Sequence, residues 1–259
     1  MMVRYSAHDV EKWAAFSGDY NPIHFDKGMA SSYGMTACPI QGMLALADVK
    51  NKISDVVQGK PFSAHISFRD YIVPDTDYEI SWDGKRTVTL HRDGQKLITA
   101  RLKDYVPEQP ETGLGKVSTD AQMITCLDEF AHYRAEERKH PDALWSLGDS
   151  LLFRDIFNTE SPREFTRDLS AKVGVSGLET INDVMSVSLA VQTNHTINVS
   201  EQALNISSVK QFSGFSINRG HPSLVLIDEE KVVIEFLVQL VSDNAVTMSS
   251  KSTVLIKRK

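Results

Sequence analysis

Hydrophobic positions in this chain follow two periods. Near the start Val10, Trp13, Ala14 and Phe16 recur at the spacing of one helix face, behind Ser6 with Asp9 three positions on, a pairing that caps a helix. Residues 27–33 read as a short helix or turn. Residues 40–57 read as a long helix, and its run Met43, Leu44, Ala45, Leu46, Ala47 leaves little polar face, as expected of a buried helix. The period then drops to two. Residues 62–73, 78–82, 86–91 and 97–105 are strand-like, with Ile80/Trp82 and Val88/Leu90 alternating with polar neighbours; Asp83-Gly84 and Asp93-Gly94 separate them as hairpin turns. Residues 107–115, rich in Pro and Gly, read as a linker. Beyond it residues 120–138 read as helix, and Ser176 with Glu179 offers a capping box for an apolar helix over 178–191. Strand-like runs at 204–217, 223–227, 231–241 and 245–256 complete the chain. Helix followed by a strand meander thus occurs twice, which predicts an α+β fold of two related halves, residues 1–106 and 116–259. No sequence repeat accompanies that order.

Composition narrows the class. With 41% apolar and 24% charged residues over 259 positions, the chain can bury a substantial core. A net charge of -6 argues against nucleic acid or an anionic membrane as a general partner. Cys38 and Cys126 have no metal spacing and suggest no disulfide framework, which favours a reducing compartment. The start of the chain lacks an apolar signal core, and no apolar run is long enough to span a bilayer, so a cytoplasmic protein is expected.

The chemistry concentrates in residues 16–26, Phe-Ser-Gly-Asp-Tyr-Asn-Pro-Ile-His-Phe-Asp, and in Gly42, eighteen residues after His24. Pro22 fixes its own φ and biases Asn21 toward extended geometry, so the segment from Asp19 to His24 should leave the preceding helix and form a stiff loop. A carboxylate and an imidazole sharing one water can remove and return protons near neutral pH. Gly42 puts no side chain before an approaching carbonyl, and the free N–H groups at the start of the helix it opens would stabilise negative charge. Asp19 and His24 are therefore the candidate catalytic residues, with Asn21 and Gly42 the candidate substrate-binding ones. Asp26 reads as a helix cap, and Tyr20 and Phe25 as pocket wall or core.

Ser17, Gly18, Asp19, Asn21, Pro22, His24, Asp26, Ala30, Gly42 and Met43 together resemble the motif of the MaoC-like, (R)-specific enoyl-CoA hydratases and dehydratases. The pattern departs at Gln41, where that family usually has His, and at Met35, where Phe is common. The match covers roughly the first hundred residues, with no second copy further on. The resemblance implies a double hotdog, two helix-wrapped antiparallel sheets in one chain, the second degenerate. It implies interconversion of trans-2-enoyl and (R)-3-hydroxyacyl thioesters, carried on coenzyme A or an acyl carrier protein, without metal or other cofactor. In related double hotdogs the degenerate half opens space for long acyl chains by loosening its central helix, a role that Gly174, Gly177, Asn182, Ser186 and Ser188 could serve. A homodimer is possible. Two further readings stay open: a hotdog acyl-thioester thioesterase, and a non-catalytic acyl-thioester-binding protein.

Weaker signals lie elsewhere. Gly148-Asp149-Ser150-Leu151 imitates a serine-esterase signature but follows no clear strand and has no partner motif downstream. Asp128 and His132 share a helix face without a third ligand, and read as a solvated ion pair. His91-Arg92-Asp93 reads as hairpin. Asn194, Asn198 and Asn205 open glycosylation-type triplets that should stay bare without a secretory route. His195, Arg219 and His221 are isolated polar residues that could line an acyl-carrier entrance but read rather as ordinary surface positions.

Overall fold

The computed structural model describes residues 1–111, 113–158, 163–174, 177–226 and 231–257. The first half runs β1 (Met2–Arg4), α1 (Ala7–Ser17), a 3₁₀ turn (Pro22–His24), α2 (Lys27–Ser32), α3 (Gly42–Val57), β2 (Phe62–Phe68), β3 (Asp77–Trp82), β4 (Thr87–Arg92) and β5 (Gln95–Asp104). The second runs β6 (Gly115–Ser118), α4 (Ala121–Arg138), α5 (Leu144–Asn158), α6 (Arg163–Val173), α7 (Ile181–Val187), β7 (Leu189–Val199), α8 (Glu201–Leu204), a 3₁₀ turn (Val209–Gly214), β8 (Ser216–Arg219), β9 (Ser223–Leu226), β10 (Lys231–Ser242) and β11 (Ala245–Lys257).

These strands form a single antiparallel sheet in the order β1-β3-β4-β5-β2-β7-β11-β10-β8-β6, with β9 pairing on β10. Leaving β9 aside, each half reads first, third, fourth, fifth, second strand from the outer edge inward. The halves meet at β2 and β7, which run antiparallel from Phe62 opposite Val199 to Ser67 opposite Asn194. The structure thus carries a repeat of topology that the sequence does not display. The fold is a double hotdog, α+β as the resemblance implies.

Each half wraps a buried helix. Met43 to Lys50 of α3 are buried without a break, and so are Trp145 to Phe153 of α5. Such helices belong inside a protein because neither side can face water. They meet through charge as well as packing: Lys50 of α3, fully buried, pairs at 2.9 Å with Asp149 of α5. A second buried cluster ties in α4, where Arg134 donates to Asp48 of α3 and to Asp142, each at 2.9 Å.

The second half departs from expectation in three places. Its central helix is α5, which the sequence pattern did not reveal. The expected helix over 178–191 is a single short helix, α7, capped by Thr180 and Asp183; β7 begins at Leu189. Ser176 lies outside the described residues. Asn182 and Ser186 fall in α7, while Gly174, Gly177 and Ser188 flank it, so none of them loosens α5 itself. Residues 204–217 are mostly helical turns, with strand only from Ser216, because Ser200 caps α8 and a 3₁₀ turn follows. The expected linker gives its last residue to β6, which pairs with β8. No helix among the described residues is long and apolar enough to cross a membrane.

Candidate active site

Helix α1 ends where the sequence requires it to. Ser6 and Asp9 form the expected capping box at its start, and Gly18 closes it with φ +79°, its N–H reaching Ala14 O at 2.8 Å. A Cβ at Gly18 would lie 2.7 Å from the Asn158 amide, so the position needs glycine for both backbone and space. The second half holds the chain as it leaves the helix. Asn158 Nδ2 donates to Ser17 O at 2.8 Å, and Asn182 Nδ2 to Gly18 O at 3.2 Å.

Asn21 and Pro22 then start the 3₁₀ turn. Asn21 Oδ1 accepts from Ile23 N at 3.3 Å, and its Nδ2 donates to Ala190 O of β7 at 2.9 Å. Asn21 is buried, so its amide fixes the loop against the other half of the molecule. Asp26 caps α2, accepting from Gly28 N and Met29 N. Tyr20 and Phe25 are exposed and line no part of the cavity described next, contrary to their reading as wall or core.

Asp19, Asn21, His24 and Gly42 all line one cavity of about 400 Å³. Met35, Arg69, Asp70 and Tyr71 also border it, and its inner wall comes from the second half, with Phe153 and Phe157 of α5, Met185 of α7, Gln192 of β7 and Val254 of β11. A smaller apolar cleft shares Phe153, Phe157, Met185 and Val254 and continues past Ile181, Phe236 and Ile256. Nothing in the sequence marks this inner wall, because its residues, apart from Gln192, are ordinary apolar ones from a region whose elements the pattern misplaces.

The electrostatics follow from burial. Desolvation raises the Asp19 carboxyl above its ordinary value of 3.8, opposed by the His24 imidazole and by the Asn21 N–H. Desolvation likewise lowers His24 below 6.5, opposed by Asp19 and by the bond to Pro39. That bond joins His24 Nδ1 to Pro39 O at 2.8 Å. A carbonyl can only accept, so Nδ1 carries the proton and the neutral ring keeps its lone pair on Nε2.

Gly42 is the first residue of α3. Gln41 before it makes no side-chain cap, and the Gly42 N–H has no acceptor among the described residues. A Cβ there would come within 3.0 Å of the Phe68 ring. Gln41 itself does not reach the cavity. It is buried behind the helix start, where Nε2 donates to Val10 O at 3.3 Å and Oε1 has no donor among the described residues. The departure at Gln41 thus falls behind the wall of the cavity, whereas Met35 lines it.

The weaker signals resolve structurally. Gly148 to Leu151 lie inside α5, where a Cβ at Gly148 would press on Met248 and Phe212. Asp128 and His132 form an exposed pair at 3.7 Å. His195 is fully buried against Asp149, and Arg219 forks onto Asp155, so neither is the ordinary surface residue expected; His221 is exposed. Asn198 is buried in the seam. Cys38 and Cys126 are free, and no group of three or more metal-ligating side chains occurs among the described residues.

No family model and no curated protein matches the sequence. Among solved structures, the chain is similar over its full length to a protein of Chloroflexus aurantiacus described as a MaoC domain dehydratase, with 12% identity, 93% of that chain covered and a TM-score of 0.49. An acyl-CoA thioesterase II from Mycobacterium marinum matches over 84% of this chain and 89% of its own, at 9% identity and a TM-score of 0.41. The (R)-hydratase from A. caviae matches 39% of this chain and 88% of its own, at 20% identity and a TM-score of 0.31. These neighbours include both a dehydratase and a thioesterase by description, and the likeness does not choose between them.

Proposed function

We propose that the chain is a hydratase/dehydratase that interconverts trans-2-enoyl and (R)-3-hydroxyacyl thioesters carried on coenzyme A or an acyl carrier protein. The observation that carries this reading is the single cavity lined by Asp19, His24 and Gly42 together. His24 Nε2 takes a proton from water as the water oxygen bonds to C3 of the enoyl group. The displaced electron pair moves through the conjugated system onto the thioester oxygen, where the Gly42 N–H and the start of α3 receive it. The imidazolium then returns the proton to C2, and Asp19 orients the water and stabilises the transient positive ring. Dehydration is the same path in reverse. Burial of both groups supports the pairing: it favours a neutral imidazole ready to accept a proton beside a carboxylate whose charge partner is that same ring. The (R) configuration comes from the resemblance alone.

The deciding measurement follows loss of enoyl absorbance with crotonyl-CoA and longer enoyl thioesters, alongside free-thiol release from saturated acyl-CoA. Hydration lost in Asp19→Asn supports the reading. Thiol release without hydration makes the protein a thioesterase, and tight binding without turnover makes it a binder.

A further inference from the structure

Besides the motif loop, the cavity has a polar lining from β7, set from behind. β7 carries a bulge: Asn194 lies opposite Thr253 and Gln192 opposite Val254, which leaves Thr193 unpaired in the ladder. A bulge breaks the alternation of a strand and re-aims its side chains. The consecutive residues Val191, Gln192 and Thr193 accordingly all line the cavity.

Behind Gln192 runs a chain of buried groups. Lys50 and Asp149 pair at 2.9 Å with both side chains out of solvent. Burial would raise the Asp149 carboxyl, but His195 and Lys50 outweigh it and hold the group well below its ordinary value, so it is ionised. Both of its oxygens lie 3.0 Å from His195 Nε2, which therefore donates to it. His195 Nδ1 lies 2.9 Å from the Ser252 hydroxyl and 3.4 Å from Gln192 Nε2. The same amide nitrogen reaches Ser252 Oγ and Met43 Sδ, each at 3.5 Å. With the nitrogen turned inward, the Gln192 carbonyl oxygen has no donor among the described residues.

We propose that Gln192 Oε1 accepts a hydrogen bond from a hydroxyl group on the acyl chain, so that the cavity prefers hydroxylated acyl thioesters over plain or oxo-substituted ones of equal length. This rests on the acyl-thioester reading above. A methylene chain would leave the oxygen dry and unpaired, and an oxo group would set one acceptor against another. Only a donor satisfies it. Gln192 touches both Met43, the neighbour of Gly42, and Ser252, which lines the smaller cleft with Phe157, so the position of the recognised hydroxyl along the chain is read from the series below.

The test is calorimetric titration of the full chain with saturated acyl-CoA thioesters of one length, bearing no substituent, a hydroxyl or an oxo group walked along the chain. Saturated chains cannot be hydrated, and the hydroxyl series starts beyond C3 because a 3-hydroxyacyl thioester would be dehydrated, so binding is read without turnover. At one position the hydroxyl should bind about fivefold to tenfold more tightly than the plain chain. Gln192→Leu should abolish that preference while binding the plain chain at least as well, and Gln192→Met, with a longer and more flexible side chain, should do the same. Absence of binding by all three, no hydroxyl preference at any position, a preference for the oxo group, or equal weakening of all three in the variants would overturn the proposal. Asp19→Asn assayed separately on enoyl thioesters keeps the two readings apart: a hydroxyl preference with no Asp19-dependent hydration leaves the pocket and removes the catalyst.

Discussion

The loops that lead into the two central helices each carry an aspartate, and the fold treats them in opposite ways. Asp142, before α5, meets the Arg134 guanidinium and the Asn51 amide, which outweigh burial and hold its carboxyl below the ordinary value. Asp19, in the loop that leads toward α3, has no guanidinium, and burial holds it above that value. The connection from the first helix to the central one thus holds a staple in one half and a buried, cavity-facing carboxyl in the other. A carboxylate already saturated by arginine cannot exchange protons with a substrate.

Substitutions at these loops test that contrast. The largest effect is expected from Asp19→Asn or His24→Ala, each lowering kcat/KM for enoyl hydration by about 10²- to 10⁴-fold, or about 3 to 5 kcal/mol of transition-state stabilisation. Steady-state kinetics at either variant with wild-type rates would erase the difference between the loops. Arg134→Met should cost a similar amount, about 3 to 5 kcal/mol, but in urea-unfolding stability, since it leaves buried Asp142 without a guanidinium and buried Asp48 with Arg138 alone. Gly42→Ala places a methyl against Phe68 and should raise KM and lower kcat, a loss of about 1 to 3 kcal/mol. Asn21→Ala removes the bond across the seam and should destabilise by about 1 to 3 kcal/mol in the same unfolding assay.

The smallest effects are shifts with pH, and their signs differ between the aspartates. Asp142 has a lowered value, so its stabilisation is present above 3.8 and fades as pH falls through the lowered value. Asp19 has a raised value, so its ionised form costs stability that is regained on acidification; Asp19→Asn should stabilise the folded chain slightly near neutrality, and Asp142→Asn should destabilise it. In the proposed mechanism activity needs Asp19 ionised and His24 neutral. Both are lost on acidification, the Asp19 value moving up from 3.8 and the His24 value down from 6.5, which predicts that kcat/KM falls on the acid side. A profile that rises on acidification would contradict it.

The sequence made the first half legible because its signals are local. A capping box, a Gly stop, an Asn-Pro turn and two Asp-Gly hairpins each act within a few residues, and α1, the motif loop and β3 to β5 lie close to where those signals put them. The second half depends on contacts from afar. Helix α5 carries Gly148, Asp149 and Ser150 in its buried run, polar or small residues that hide its apolar period; Asp149 is tolerated there because Lys50, ninety-nine positions away, and His195 pair with it. His195 looked like surface for the same reason. The motif residues could be picked out by type and spacing, whereas Gln192 could not, since a bulge in a strand leaves no mark in one sequence.

The seam between β2 and β7 has a wider consequence. Where two identical copies join through such a ladder, a change made on one side of the join is repeated on the other. One continuous chain lifts that restriction. Asn21 can reach over to Ala190 without a mirror-image amide reaching back, and Phe157 can wall a chamber that its opposite number does not need. Symmetry then survives in the backbone while the side chains are free to divide the labour.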